Sequence, residues 1–256
     1  MAEYDRQTVA GRVGTAAAID EGLRAHMLRV YNYMGIGLAV TGIVALALSM
    51  LTATNDPSQA VAQLGNGVML TQLGVALYGS PLQWVVMLSP FAFILALSFG
   101  INKMSFATAQ MVFWAFAAVM GISLSSIFLV YTGGSIAKVF FIAAAMFGSM
   151  SLYGYTTKRD LTSIGAFLFM GLIGLIIAMV VNIFLQSSAL DFAISAIGVL
   201  IFLGLTAFDT QKIKEAYAEN IGQEGLGKLA IMGALTLYLD FINLFLMLLR
   251  LFGNRE

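Results

Sequence analysis

Seven long apolar segments, separated by shorter polar stretches, dominate the pattern of hydrophobic and polar positions along the chain. Each approaches or exceeds the ~20 apolar residues with which an α-helix crosses a bilayer. The segments are predicted at residues 30–51, 84–101, 108–131, 139–156, 164–185, 192–210 and 229–250. The second contains Pro90, which removes a backbone donor and is expected to kink its helix. The pattern predicts an all-α integral membrane protein.

The stretch before the first apolar segment is charged and has no unbroken apolar core, so we expect no cleavable signal peptide there. Between Ile19 and Val30 the apolar residues recur at helical spacing, with two arginines among them. This spacing predicts a short amphipathic helix on the membrane surface. The chain therefore divides into a tail, residues 1–29, and a seven-helix transmembrane domain, residues 30–256.

Small residues four apart predict where helices approach each other closely in the bilayer. Ala117, Gly121 and Ser125 form such a row on the third span. Ala144 and Gly148 repeat the spacing on the fourth. Both rows are interpreted as helix-packing faces.

Composition strengthens the membrane assignment, since 60 % of the residues are apolar and 10 % are charged, against about 25 % charged in soluble domains. The net charge of +0 gives no argument for a nucleic-acid partner, and none is expected. The chain has no cysteine and one histidine, His26. These counts exclude thiolate metal sites, thiol nucleophiles and zinc sites built on several imidazoles. We expect no cofactor.

The distribution of Lys and Arg predicts the orientation, because short cytoplasmic loops are enriched in both. With the N-terminus in the cytoplasm, ten fall inside and three outside. The ten are four tail arginines with Lys103, Lys158, Arg159, Lys212, Lys214 and Lys228; the three are Lys138, Arg250 and Arg255. Arg250 and Arg255, at and after the end of the last span, leave open that this segment re-enters and returns instead of crossing.

Two aspartates are the strongest functional candidates, because an ionisable group at the centre of a membrane helix costs at least ~2.5–3.5 kcal/mol. Asp240 lies near the middle of the last segment, ~15 Å along the helix from Lys228 or Arg250. Asp209 lies close to Lys212 and has an alternative reading as a local ion pair at the membrane edge. Depths measured from the flanking lysines differ by ~10–13 Å, so spacing alone does not bring the two together.

If the two carboxylates meet, they form a specific kind of site. Both cannot ionise easily in a medium of low dielectric constant, so they would share a proton and titrate as a unit. A protonated pair would hold its helices together, whereas a deprotonated pair would repel and attract a cation. Carboxylate and amide oxygens suit Ca²⁺, and Asn243 one turn from Asp240 could support the site. Asp160 and Asp191 are predicted as helix N-caps.

The run Ala207-Phe-Asp-Thr-Gln-Lys-Ile-Lys214, followed by Ala230-Ile-Met-Gly-Ala-Leu235 and Leu237-Tyr-Leu-Asp-Phe-Ile-Asn-Leu-Phe245, resembles the Bax inhibitor-1 family, also called the transmembrane Bax inhibitor motif family. The resemblance implies a bacterial member with seven helices, the last of them central, and a pH-sensitive calcium leak through the inner membrane. The family's two aspartates match Asp209 and Asp240. They are the implied proton sensor, gate and Ca²⁺ ligands. A basic latch on the first aspartate has Lys103 as its nearest match.

The resemblance leaves a second function open, since one bacterial member of the family modulates a membrane-anchored AAA quality-control protease. The chain would then be a non-conducting regulator. An enzyme is not expected. The layout of intramembrane aspartyl proteases requires Gly-x-Gly-Asp at the second aspartate, but Leu237-Tyr238-Leu239 precedes Asp240.

Overall fold

The computed structural model describes residues 2–65, 67–218 and 221–254, with side chains from residue 21 onward. Seven of its helices are long and apolar enough to cross a membrane, which confirms the predicted fold class. The helices are α1 Ala2–Thr52, α2 Gln72–Tyr78, α3 Leu82–Gly100, α4 Phe106–Leu124, α5 Gly133–Thr156, α6 Thr162–Leu185, α7 Ser188–Glu215 and α8 Gln223–Phe252. A 3₁₀ turn, Ser125–Leu129, continues α4.

The stretch Ile19–Val30, predicted as a short surface helix, is instead an internal part of the continuous helix α1. Met27 and Val30 are buried in the main core, so this stretch packs against other helices instead of lying flat on the membrane. The side chains of residues 2–20, which include Ile19 and the tail arginines Arg6 and Arg12, lie outside the described part of the chain, as does Arg255.

The polar stretch between α1 and α3 forms a small antiparallel sheet, which the sequence pattern did not predict. Its strands are β1 Ala53–Thr54, β2 Ala62–Gln63 and β3 Met69–Leu70, with β3 in the middle. Asp56 closes the turn after β1 by accepting a hydrogen bond from the Ser58 backbone N–H (2.9 Å). Hydrogen bonds from Ser58 hold the pKa of the Asp56 carboxyl below its ordinary value.

The two predicted N-cap aspartates behave differently. The N-cap of α6 is Leu161, one position after the predicted Asp160, although Asp160 Oδ1 does accept a hydrogen bond from the Thr162 backbone N–H (2.8 Å). This contact with Thr162 lowers the pKa of Asp160. The prediction for Asp191 is wrong, because Ser187 caps α7 through its hydroxyl. Asp191 lies in the first turn and faces Arg250 across 3.9 Å.

Helix α8 is the most buried of the seven candidate spans. Of its most apolar stretch 72 % is buried, against 44 % for α7, the next most buried. It packs on α1, α4, α5 and α7. Its 30 residues form one unbroken helix of ~45 Å, longer than the ~30 Å hydrocarbon core. The chain does not turn back within this helix, as it would if the last segment entered the membrane and returned to the same side.

The alternating course of the seven helices collects basic residues at one end of the bundle. We call it the basic end and define it by Arg24, Lys103, Lys158, Arg159, Lys212, Lys214 and Lys228. Close backbone contact fixes α5 against α7 near this end, because a Cβ on Gly154 would collide with the backbone of Ala207. Position 207 is two residues before Asp209, so this contact sets where the first aspartate lies.

The two predicted small-residue rows have different environments. Ala117, Gly121 and Ser125 are all buried, and Gly121 packs directly on α1 at Thr41 and Val44. Gly148 on α5 is exposed, and a Cβ built there meets nothing within 4 Å. The second row therefore borders open space instead of a neighbouring helix.

Candidate functional site: a pair of carboxyl groups between α7 and α8

Asp209 on α7 and Asp240 on α8 meet within hydrogen-bonding reach of each other. The Asp240 residue is 6 % exposed and Asp209 is half-buried. Ionised carboxylates only accept hydrogen bonds, so a bond between these two requires a proton on one of them. Asp240 Oδ2 is fully buried and receives no hydrogen bond from a donor in the described residues. The geometry therefore favours a shared proton.

The register of α7 against α8 explains why the two side chains meet. A Cβ on Gly233 would lie 3.0 Å from Ile213 Cγ2, and one on Gly198 would lie 2.9 Å from Met247 Sδ. In this antiparallel register Asp209 is level with Leu237, within one helical turn of Asp240. The start of α8 extends beyond the end of α7, so Lys212 and Lys228 lie at different depths. The depth difference derived from those lysines was therefore misleading.

A cavity of about 610 Å³ lies against the pair, enclosed by α6, α7 and α8. It begins beside Thr162 and Lys212 at the basic end and reaches Leu172 and Phe202. That distance is ten residues of α6, or ~15 Å, about half of the hydrocarbon thickness. Both aspartates thus line a cavity that extends from the basic end toward the middle of the bundle.

The residues predicted to support the aspartate pair, and a further lysine, differ in how close they lie to it. Asn243 lines the cavity, but its amide donates to the Leu239 carbonyl of its own helix (2.8 Å). Lys103 is exposed in the turn between α3 and α4, and within the described residues it forms no ion pair with either aspartate. Lys212 lines the cavity and lies close enough to Asp209 for electrostatic attraction. The structure brings Lys212, and not Lys103, to the first aspartate.

Sequence reasoning missed the two residues that follow Asp209, although both are in the recognised run. The Thr210 hydroxyl hydrogen-bonds to Ser151 of α5 (2.9 Å). The buried Gln211 side chain accepts from the Leu161 backbone N–H (2.9 Å) and donates to the Arg159 carbonyl (2.8 Å). These contacts tie α7 to α5 and to the loop before α6. Two consecutive polar residues directly after Asp209 were the signal for such anchoring.

A second cavity of about 400 Å³ lies at the opposite end of the same three helices, beside Asn182, Asp191 and Arg250. The last lining residue of the first cavity on α8 is Asn243 and the first of the second is Arg250, a gap of ~10 Å. Buried apolar packing fills this gap, with Met247 and Leu175 against Gly198. The two cavities are thus separated by a closed apolar layer.

The donor set is too small for a tightly bound metal. In the described part of the chain, no three His, Cys, Asp or Glu side chains cluster closely enough to hold an ion. Ca²⁺ takes six to eight oxygen ligands, so two carboxylates, with hydroxyl and amide groups nearby, would leave most of its coordination to water.

The helices and the buried carboxyl pair define a multi-pass membrane protein with an ionisable centre. Comparison with known proteins identifies the family: residues 23–256 match the family model described as Inhibitor of apoptosis-promoting Bax1. The chain belongs to this family, the Bax inhibitor-1 family. The predicted family membership is confirmed.

Similar proteins cover nearly the whole chain. It is 50 % identical to the uncharacterized protein RP147 of Rickettsia prowazekii, over 93 % of this chain and 92 % of that one. It is 46 % identical to the inner membrane protein YbhL of Escherichia coli K12, over 92 % of this chain and 94 % of that one. It is 44 % identical to an uncharacterized protein of Caulobacter vibrioides, over 99 % of this chain and 97 % of that one. The chain is accordingly a multi-pass inner-membrane protein.

Proposed function

We propose that the protein is a proton-regulated Ca²⁺ leak, with Asp209 and Asp240 as sensor and gate. One observation carries this proposal: two carboxyl groups from different helices meet at a cavity that begins at the basic end of the bundle. A buried ionisable group in a membrane helix requires a partner, water or a function. Here the partner is a second acid, which gives no neutralising charge but does allow a proton to be shared.

The cavities support a conduit that is closed in this conformation. They lie in line on α6, α7 and α8, with the apolar layer at Leu175, Gly198 and Met247 between them. An ion entering at the basic end would reach the aspartates but would not pass this layer. Opening therefore requires α7 and α8 to move relative to each other.

Protonation supplies a reason for that movement. With one proton between them, the carboxyl groups form a hydrogen bond that holds α7 to α8. When the proton leaves, two negative charges face each other in a medium of low dielectric constant and repel. The same charges attract Ca²⁺, which replaces the proton as the neutralising cation. The leak is therefore closed in acid and opens as the pH rises.

Lys212 is the basic residue that acts on this pair. Its ammonium group lies 5.9 Å from the centroid of the Phe208 ring, at the rim of the cavity. A positive charge there stabilises ionised Asp209 and so favours the open form. Lys103 remains a predicted latch for a different conformation, because in this one it lies in an exposed turn.

We further propose that the N-terminus is cytoplasmic. The basic end holds most of the Lys and Arg residues, as loops facing the cytoplasm usually do. The aspartate cavity then opens to the cytoplasm, and cytoplasmic pH controls the leak.

Calcium flux into vesicles that hold a calcium dye tests conduction. The protein is reconstituted and flux is measured for the natural chain, Asp240→Asn and the control Asp56→Asn. We expect flux from the natural chain, an altered rate for Asp240→Asn and little change for Asp56→Asn, because Asp56 is exposed in the turn after β1 and lines neither cavity. Absence of flux, with a membrane-anchored protease recovered in stoichiometric amount by pull-down, would favour the non-conducting regulator.

A further inference from the structure

A groove separate from the aspartate site lies between α1 and α5, which both pack on α8. Its volume is about 720 Å³, and its walls are mainly apolar, with Met34 and Leu38 on α1 facing Phe140 and Phe147 on α5. Leu28 and Leu152 at its margins are 52 % and 62 % exposed. The groove therefore opens sideways, toward the lipid.

Two glycines keep the groove open. Gly35 on α1 and Gly148 on α5 line it, and a Cβ added at either position meets nothing within 4 Å. Larger residues would occupy this space without disturbing the neighbouring helices. The groove is thus a recess that a ligand could fill, and not a gap left by misfitting side chains.

The length of the groove suits a hydrocarbon chain. From Arg24 to Leu38 the groove follows α1 for fourteen residues, or ~21 Å. One leaflet of the hydrocarbon core is ~15 Å thick, so the groove is long enough for an acyl chain.

The polar groups favour an anionic headgroup. Arg24 lines the groove at the basic end, and no acidic side chain is present among the lining residues. In the described part of the chain Arg24 forms no ion pair. The hydroxyl groups of Tyr31 and Ser151 hydrogen-bond to each other (2.6 Å). The groove thus offers one guanidinium without an ion pair among the described side chains, which suits a phosphate.

We propose that this groove binds an anionic phospholipid, with one acyl chain between α1 and α5 and the phosphate at Arg24. The site is independent of Ca²⁺ conduction and does not use Asp209 or Asp240. Lipid bound there fills the recess between α1 and α5, both of which contact α8. Phosphatidylglycerol is the probe for the site, and phosphatidylcholine, which has a phosphate but no net charge, is its comparison.

Native mass spectrometry of the detergent-solubilised full chain, titrated with each lipid, tests the proposal. We expect phosphatidylglycerol to bind more tightly than phosphatidylcholine. Arg24→Gln should weaken phosphatidylglycerol binding about fivefold, the effect of one basic residue at a membrane surface. The matched control is Arg29→Gln, which removes the same charge from α1 at a position that does not line the groove.

A second pair of variants tests the groove itself. Gly148→Leu should reduce the binding of both lipids, because its side chain fills the recess. Gly174→Leu on α6 is the control, since a Cβ there also meets nothing within 4 Å but faces away from the groove. Equal effects of Arg24→Gln and Arg29→Gln, or unchanged binding to a folded Gly148→Leu protein, would overturn the proposal.

Discussion

Two glycines of α5 allow a direct test of how helix contact positions the first aspartate. Gly154→Ala adds a Cβ that would lie 2.8 Å from the Ala207 carbonyl carbon and 2.9 Å from its Cα. Both atoms belong to the backbone of α7, so no side chain can turn aside and the helices must separate. Gly148→Ala makes the same chemical change on the same helix, where the new Cβ meets nothing within 4 Å.

The difference in stability between the two variants isolates the cost of the steric clash at position 154. Each Gly→Ala exchange gains up to ~1 kcal/mol of helix propensity, and this gain largely cancels when the two stabilities are subtracted. Forcing a methyl group into close packing costs about 1–3 kcal/mol. At about 2–4 °C per kcal/mol for a chain of this size, Gly154→Ala should unfold roughly 2–12 °C below Gly148→Ala.

Thermal unfolding in one detergent, at one scan rate, measures the difference through the fluorescence of Trp84 and Trp114. The same displacement acts two residues from Asp209, so Gly154→Ala should also change the pH dependence of Ca²⁺ flux. An apparent Tm of Gly154→Ala equal to or above that of Gly148→Ala would refute the close contact between α5 and α7.

Three further predictions concern named side chains. The buried Tyr238 hydroxyl lies 2.7 Å from Thr41 Oγ1, and Thr41→Val leaves it without this hydrogen-bond partner. Thermal unfolding should show that Thr41→Val lowers the free energy of unfolding by about 1–3 kcal/mol. Tyr238→Phe removes the hydroxyl itself and should lower it by only about 0.5–1.5 kcal/mol. Gln211→Leu leaves a backbone N–H and a carbonyl without their partner, and its apparent Tm should fall by the equivalent of about 1–3 kcal/mol. Lys212→Gln should move the opening of the Ca²⁺ leak to higher pH in vesicle assays, by less than about one pH unit because Lys212 is exposed. Lys158→Gln is the matched control, because Lys158 is exposed at the same basic end but does not line the aspartate cavity, and it should leave the pH of opening unchanged.

The transmembrane helices could be predicted because each is a long apolar run, and the bilayer sets their minimum length. The start of α1 could not, since the amphipathic spacing at Ile19–Val30 fits a surface helix and a packed helix equally well. Burial of Met27 and Val30 against other helices decides between them. The short sheet after α1 also escaped prediction, because strands of two residues leave no periodic signal.

The candidate site was predictable in its residues but not in its geometry. Asp240 stands out in an apolar helix, and the family resemblance pairs it with Asp209. Spacing could not bring them together, because Lys228 lies on the part of α8 that extends beyond α7. Contacts such as Gly233 on Ile213 set the register, and they depend on side-chain shapes that a hydrophobic pattern does not record.

Small-residue spacing likewise has two structural meanings. On α4 it predicts a packing face correctly, since Gly121 lies directly against Thr41 and Val44. On α5 the same spacing at Ala144 and Gly148 borders the lipid-facing groove. The sequence records that a residue is small, whereas the neighbouring helix decides whether the space is filled.

The pH profile of Ca²⁺ flux tests the central claim most directly. Flux is measured between pH 6 and pH 8 for the natural protein, the double variant Asp209→Asn/Asp240→Asn and the control Asp56→Asn. Because opening releases one shared proton, flux through the natural protein and the control should rise with pH, by up to about tenfold per unit. The double variant should show a flat profile. A double variant that keeps the profile of the natural protein would contradict the assignment of Asp209 and Asp240 as the proton-sensitive gate.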